Sequence, residues 1–283
     1  MNMRIPGIIA LDIDGTLFNS RGQISRRTLE AIHACTQLGI NVVFSTGRDY
    51  DSLPLIQVHG SGMQYAITTN GSAIYELKSR NCLWENPMDQ TDIIRILDYV
   101  ENKEMFPFLF IDGKGYAEKE RLPIYERVNW PQHLKDTTEY NMHLVDDLAE
   151  YVRRASRDVQ KGAILFPSSE DGTLIGWDET REYLNAMTGV HAVDGGCDNL
   201  EFNRSNATKA AGLKKLADML GITMADTIAI GDSENDLDIL RAAGTGIAMG
   251  NAPDAIKNCA DEVTFANDED GVAAVLEHIA SVI

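Results

Sequence analysis

The stretch Gly7-Ile8-Ile9-Ala10-Leu11-Asp12-Ile13-Asp14-Gly15-Thr16-Leu17 decides the fold. Its first five residues form a short uninterrupted apolar run, the pattern of a strand buried on both faces. Carboxylates and a glycine follow at once. Ser25 then stands where it can cap a helix whose Leu29, Ile32, Cys35 and Leu38 share one face, with Gly39 suited to its end. Ile40-Asn41-Val42-Val43-Phe44 reads as the next strand. Strand, helix and strand with short connections predict a parallel βαβ unit.

The same rhythm returns near the C-terminus. Asn206 is a plausible cap for a helix with Leu213, Leu216 and Leu220 facing the core, and Thr227-Ile228-Ala229-Ile230 is a strand. Leu237, Ile239 and Leu240 belong to a helix ending at Gly244, and Gly246-Ile247-Ala248-Met249 is another strand. Val272, Val275, Leu276 and Ile279 mark a closing helix. Both ends therefore read as α/β of the doubly wound, parallel-sheet kind. The middle is less regular and holds Trp84, Trp130 and Trp177. Helices are expected near Asp92–Asn102 and Asp146–Val159, and strands near Phe108–Asp112, Gly115–Glu118 and Ala163–Phe166. That mixture predicts an α+β module at 84–193, inserted into a core made of 1–83 and 194–283.

The 283 residues carry 25 basic and 43 acidic side chains, a net charge of −18. Such a charge disfavours non-specific contact with nucleic acid or an anionic membrane surface. A phosphorylated substrate would need local positive potential from a metal ion and a few Lys or Arg side chains. Cys35, Cys82, Cys197 and Cys259 are scattered, with no C-x-x-C pair, and read as free thiols of a reducing compartment. Met1-Asn2-Met3-Arg4-Ile5-Pro6 does not read as a signal peptide. No apolar run reaches the roughly 18 residues of a membrane span. The expected location is the cytoplasm.

The chemistry lies beyond the strand ends, where open parallel sheets bind their ligands. The first is followed by Asp12-Ile13-Asp14-Gly15-Thr16, the second by Ser45-Thr46-Gly47-Arg48 and the third by Asn70-Gly71. The fourth leads into Gly231-Asp232-Ser233-Glu234-Asn235-Asp236 and the fifth into Gly250-Asn251. Asp12 and Asp14, one residue apart, suit a nucleophile and a proton donor. Asp232 would complete a hard oxygen site of the kind magnesium prefers. Thr46, Asn235 and backbone N–H groups near Gly15 and Gly47 suit phosphoryl oxygens. Lys209 falls in the first turn of a helix, where the macrodipole disfavours a cation, so a facing phosphate or carboxylate would account for it. Each piece has an ordinary alternative. Asp-x-Asp is often a turn, Lys209 a solvated helix residue, and Asp232 to Asp236 a helix cap. Their order, each after an apolar strand, is what chance does not readily supply.

Together these motifs resemble the haloacid dehalogenase (HAD) superfamily, and within it the Cof-type sugar-phosphatase-like branch. Asp12 to Leu17 matches its first motif, D-x-D-G-T-[LV], Thr46 the second, Lys209 the third, and Gly231 to Asp236 the fourth, G-D-x-x-N-D. Asn70-Gly71 and Ala248 to Ala252 resemble further signatures of that branch. The third motif departs in having Ala210 where the family often has glycine.

The resemblance implies a magnesium-dependent phosphatase acting on small phosphorylated metabolites, such as sugar phosphates or phosphorylated cofactors. In it Asp12 is the nucleophile and a metal ligand. Asp14 is the general acid and base, and its carbonyl contacts the metal. Asp232 is a metal ligand, and Asp236 supports the metal or its waters. Thr46, Gly47, Lys209 and Asn235 hold the phosphoryl group. The insertion resembles the family's α+β cap, which closes over the site and sets substrate choice, with Phe110, Asp112, Lys114 and Tyr116 near its turn. A phosphotransferase or phosphomutase on the same scaffold, or a catalytically idle regulatory protein, are the competing readings. Oligomeric state is not legible.

Overall fold

The computed structural model describes residues 5–130, 132–154, 158–169, 172–195 and 198–282. Met1 to Arg4 and Cys197 therefore lie outside the described residues. Cys35, Cys82 and Cys259 are free thiols.

The chain runs β1 (Ile8–Leu11), α1 (Arg26–Gln37), β2 (Asn41–Ser45), β3 (Tyr65–Thr68), β4 (Ala73–Glu76), β5 (Cys82–Glu85), α2 (Gln90–Val100), β6 (Phe106–Ile111) and β7 (Lys114–Glu118). It continues with α3 (Leu122–Glu126), α4 (Gln132–Asn141), β8 (Met142–Val145), α5 (Leu148–Arg154), β9 (Val159–Leu165), α6 (Trp177–Asn185), β10 (Val190–Asp194) and β11 (Asn199–Arg204). It ends with α7 (Lys209–Leu220), β12 (Thr227–Gly231), α8 (Leu237–Ala242), β13 (Thr245–Ala248), α9 (Asp254–Lys257), β14 (Glu262–Val263) and α10 (Gly271–Ser281).

These elements form two compact units. The first holds the residues up to Gly47, Leu53–Trp84 and those from Thr208 onward. Its eight-stranded sheet has the order β14-β13-β12-β1-β2-β3-β4-β5. The six strands from β14 to β3 are parallel, and β4 turns back antiparallel on β3. All four residues of β1 are buried, which is why its sequence does not alternate. Ile8 and Ala10 pack with Val43, Ile67, Leu213 and Leu216, and each fully buried Ile or Leu contributes roughly 1.5–3 kcal/mol. Ser25 caps α1 by accepting from the Thr28 N–H at 3.1 Å, and α1 lies along α10, where Arg27 pairs with Glu277. Asn206 is not the cap of α7. The helix starts at Lys209, so Thr208 is placed to accept from the Ala211 N–H, while Asn206 accepts from Asn86.

The second unit comprises Glu85–Ala207 together with the short segment Arg48–Ser52. Its six-stranded sheet has the order β10-β11-β9-β6-β7-β8. β11 pairs with β9 and β10 with β11, so residues 190–204 extend this sheet, and the return to the first unit falls at Thr208 rather than at 194. Asp51 donates its N–H to the Gly113 carbonyl at 3.1 Å, which ties the Arg48–Ser52 segment to the β6–β7 turn. That turn has Asp112 at φ 54° and Gly113 at φ 71°, the left-handed pair that a two-residue hairpin requires. The helix predicted at Asp146–Val159 is shorter. It starts at Leu148, its described residues run to Arg154, and Val159 opens β9 opposite Ile111. β6 alternates its side chains between two cores. Leu109 and Ile111 pack with α2, α5 and α6, and Phe106, Phe108 and Phe110 pack with Ala163, Leu165 and Tyr125.

Candidate active site

In the first unit the chain leaves β1 toward β2 on one side and reaches β12 on the other, so β1 and β12 border the switch point of the sheet. Asp12 follows β1 directly and donates its N–H to the Ile230 carbonyl of β12 at 3.0 Å. Asp232 follows β12. Thr16 donates its hydroxyl to Asp232 Oδ1 at 2.8 Å, which joins the two loops across 216 residues. Asn251, after β13, donates its side-chain amide to the Gly15 carbonyl at 2.8 Å and accepts the Asn267 N–H. Asn267 in turn donates to the Phe18 carbonyl. No sequence signal pointed to Asn267, because its role exists only once β13 and β1 lie in one sheet.

Lys209 is the first residue of α7 and is 1 % exposed. Its Nζ donates to Asp12 Oδ1 at 2.7 Å and to Asp236 Oδ1 at 2.7 Å. Burial opposes the charge on this ammonium, but the Asp12 and Asp236 carboxylates outweigh it and hold the pKa above the ordinary lysine range. Gly71 lets the Asn70-Gly71 turn reach this helix start. It has φ +89°, and a β-carbon there would stand 2.0 Å from the Thr208 carbonyl oxygen.

Asp236 uses both carboxylate oxygens. Oδ1 holds Lys209, and Oδ2 accepts from the N–H groups of Asp232 at 3.0 Å and Ser233 at 3.1 Å. The helix-cap reading of this segment holds for Ser233 and Asp236, which form a capping box, and Asp236 still has an oxygen for Lys209. Carboxylate oxygens of Asp12, Asp232 and Asp236 lie within 4.8 Å of one another. Burial raises the Asp12 carboxyl well above its usual value, Lys209 pulls against it, and Asp236, Asp232 and Asp14 add to the rise. Burial and Asp236 push Asp232 to about 6, against its bond from Thr16. Three carboxylates facing one ammonium leave a negative excess that a hard divalent cation would relieve. The donor set fits magnesium.

Thr46 and Asn70 meet the same strand ends through the backbone. Thr46 donates its N–H to Ile67, and Asn70 donates its N–H to the Thr46 carbonyl, both at 3.0 Å. Asn235 donates to Asn70 Oδ1 at 3.3 Å and accepts from the Ser233 hydroxyl. Asp14 is exposed and stands outside the Asp12, Asp232 and Asp236 cluster. Arg48 belongs to the second unit and donates to the Ser52 carbonyl at 2.9 Å. Among Phe110, Asp112, Lys114 and Tyr116, only Phe110 and Tyr116 pack into apolar clusters, and they do so on different ones.

A buried carboxylate oriented by an ammonium, with further carboxylates at a sheet switch point, is equipped to attack phosphorus and to neutralise the developing charge. Residues 9–276 match the family described as haloacid dehalogenase-like hydrolase. The chain is similar to the phosphatase YwpJ of Bacillus subtilis, with 30% identity over 96% of this chain and 99% of that one. It is also similar to the 5-amino-6-(5-phospho-D-ribitylamino)uracil phosphatase YcsE of the same organism, with 30% identity over 96% of this chain and 94% of that one. A solved haloacid dehalogenase-like hydrolase from B. subtilis superposes with a TM-score of 0.82 at 27% identity, covering 96% of this chain and 99% of that one. The chain belongs to the haloacid dehalogenase-like hydrolases, in their Cof-type branch, and is an enzyme of the phosphoric monoester hydrolase class.

Proposed function

We propose that this protein is a magnesium-dependent phosphatase of small phosphorylated metabolites that works through an aspartyl-phosphate on Asp12. The observation that carries the reading is the pair of hydrogen bonds that the buried Lys209 ammonium donates to Asp12 and Asp236, each at 2.7 Å. Asp12 attacks the phosphorus atom while Asp14 gives a proton to the leaving oxygen. Water then attacks the phosphorus of the acyl phosphate, Asp14 takes its proton, and Asp12 leaves as carboxylate. Lys209, Thr46, Asn235 and the N–H of Gly47 hold the phosphoryl oxygens.

Asp12, Asp232 and the Asp14 carbonyl would hold magnesium, with Asp236 in support. When bound, the ion supplies charge neutralisation at the carboxylate and phosphoryl oxygens. Substrate preference belongs to the second unit, Glu85–Ala207, as the α+β insertion. The relatives' names support a small substrate, since that of YcsE names a phosphorylated ribitylamino-uracil.

The test is phosphate release from phosphorylated sugars, alditols, nucleotides and cofactors, with magnesium and with chelator, for wild type and Asp12→Asn. Magnesium-dependent release that the variant lacks supports the reading. Transfer to an acceptor sugar without free phosphate would favour a mutase or phosphotransferase instead.

A further inference from the structure

Ser45 is the last residue of β2 and is 2 % exposed. Its Oγ is buried and has no hydrogen-bond partner. The neighbours fix where that hydroxyl points. Val43, two residues earlier on the same face of the strand, packs with Leu213 and Leu216 of α7. Ile67 pairs with Ser45 from β3, and its Cγ2 lies 2.5 Å from where a β-carbon added to Gly212 of α7 would stand. Leu11 pairs with Phe44, so Asp12 and Ser45 follow side by side on strands about 4.8 Å apart. The Ser45 hydroxyl therefore rises on the α7 side of the sheet, where Lys209 opens that helix and reaches Asp12. All of these residues belong to the first unit.

A buried hydroxyl without a partner destabilises a fold, and alanine would fill the same place without that penalty. The resting site thus gives no reason for a serine here. The change that Asp12 undergoes does. At rest Lys209 holds Asp12 Oδ1 at 2.7 Å. When Asp12 attacks through its other oxygen, a bond forms from Oδ2 to phosphorus. The bond from phosphorus to the leaving oxygen breaks, and that oxygen keeps the electron pair and takes the Asp14 proton. The carboxylate's charge passes to the phosphoryl oxygens, and Oδ1 becomes the carbonyl oxygen of an acyl phosphate. An ammonium follows charge, so Lys209 turns toward the phosphoryl group. Oδ1 then calls for a neutral donor, which a hydroxyl on the flanking strand supplies.

We propose that Ser45 is a positioning residue for the phosphorylated enzyme: its hydroxyl donates to Asp12 Oδ1 once Lys209 has turned to the phosphoryl group, and so keeps the acyl phosphate aligned for attack by water. The proposal rests on the aspartyl-phosphate reading and deepens it. Hydrolysis returns the electron pair of the breaking P–O bond to Asp12, Lys209 returns to Oδ1, and Ser45 is released.

The test compares full-length wild type and Ser45→Ala, with beryllofluoride and magnesium as a mimic of the phosphoryl group on aspartate. Urea midpoints are measured without either additive, beryllofluoride affinity by titration, and kcat on p-nitrophenyl phosphate. Ser45→Ala should unfold at the same urea concentration as wild type or a higher one. It should bind beryllofluoride about 10-fold more weakly and lose about 10-fold in kcat, the effect of one hydrogen bond made only after Asp12 has reacted. Changes of less than about 3-fold in both affinity and kcat overturn the assignment. A urea midpoint below that of wild type overturns it too, since the hydroxyl would then be a stabilising contact of the resting fold. Wild type that neither binds beryllofluoride nor releases phosphate sinks the phosphatase reading, and the role of Ser45 with it. Wild type that does both, equalled by Ser45→Ala, sinks the role of Ser45 alone.

Discussion

Gly15 and Asp232 meet where no side chain fits: a β-carbon at position 15 would stand 2.3 Å from Asp232 Oδ2, and Gly15 has φ +84°. Both facts exclude other residues, one by strain and one by collision. Gly15→Ala should therefore push the two aspartate loops apart. The expected outcome is a destabilisation of at least about 1–3 kcal/mol and turnover reduced by roughly 10²-fold, since reacting groups are intolerant of ångström shifts. Urea unfolding and phosphate release check the two parts. A fully active, fully stable variant would show that the loops are independent.

Lys209 predicts a different pattern. Replacing it with Met leaves Asp12 and Asp236 buried beside each other without their cation. Breaking a buried pair in this way destabilises by about 3–5 kcal/mol. Adding Asp236→Asn to Lys209→Met removes one of the stranded charges and should recover part of that stability. It should recover none of the turnover, because the cation that orients Asp12 is still missing. Recovery of activity in the double variant would assign Lys209 to stability alone.

Magnesium held as proposed by Asp12 and Asp232 should stabilise the chain, because the unfolded chain lacks that cluster. At a concentration 100 times its Kd the gain is about 2.7 kcal/mol. Asp232→Asn should lose most of this gain while folding normally, since the Thr16 hydroxyl can still bond to the amide oxygen at that position. Melting curves with magnesium and with chelator measure it. An undiminished magnesium effect in Asp232→Asn would place the ion elsewhere.

Asp49 sets a pH dependence whose sign follows from its environment. Burial moves its folded pKa from the ordinary 3.8 up to about 6. The folded state then binds the proton more tightly than the unfolded chain. Its contribution is fully present below about 4 and is lost as pH rises through about 6, on the order of 3 kcal/mol in all. Asp49→Asn should gain on wild type as pH rises from 4 to 8. Urea midpoints across that range test it, and a gain confined to low pH would reverse the assignment.

The sequence disclosed local matters well and partnerships poorly. The runs Ile8 to Leu11 and Thr227 to Ile230 announced buried strands because burial on both faces removes alternation. The residues after them were legible because functional groups in parallel sheets collect there. The sequence alone did not show that Asp236 would spend one oxygen on Lys209 and the other on two backbone N–H groups. Nor did it show that Val190–Asp194 and Asn199–Arg204 join the second sheet, since a half-buried strand looks the same whichever sheet accepts it. Lys161 and Asp49 give no signal in the sequence for a related reason. A charged residue, in a strand like Lys161 or a loop like Asp49, reads as solvent-facing until its burial is known.

Asp14 offers the sharpest test of the catalytic roles. Its side chain is exposed and outside the Asp12, Asp232 and Asp236 cluster, as suits a group that must reach a leaving oxygen and exchange protons with water. Proton donation matters only when the leaving group needs it. An alkoxide released from a sugar or alditol phosphate is strongly basic, whereas p-nitrophenolate departs without help. Asp14→Asn should therefore lower kcat by roughly 10²–10⁴-fold on an alkyl phosphate and far less on p-nitrophenyl phosphate. Asp12→Asn should remove turnover of both, because each needs the nucleophile. Equal losses on the two substrates in Asp14→Asn would mean that this residue holds the site together rather than supplying the proton.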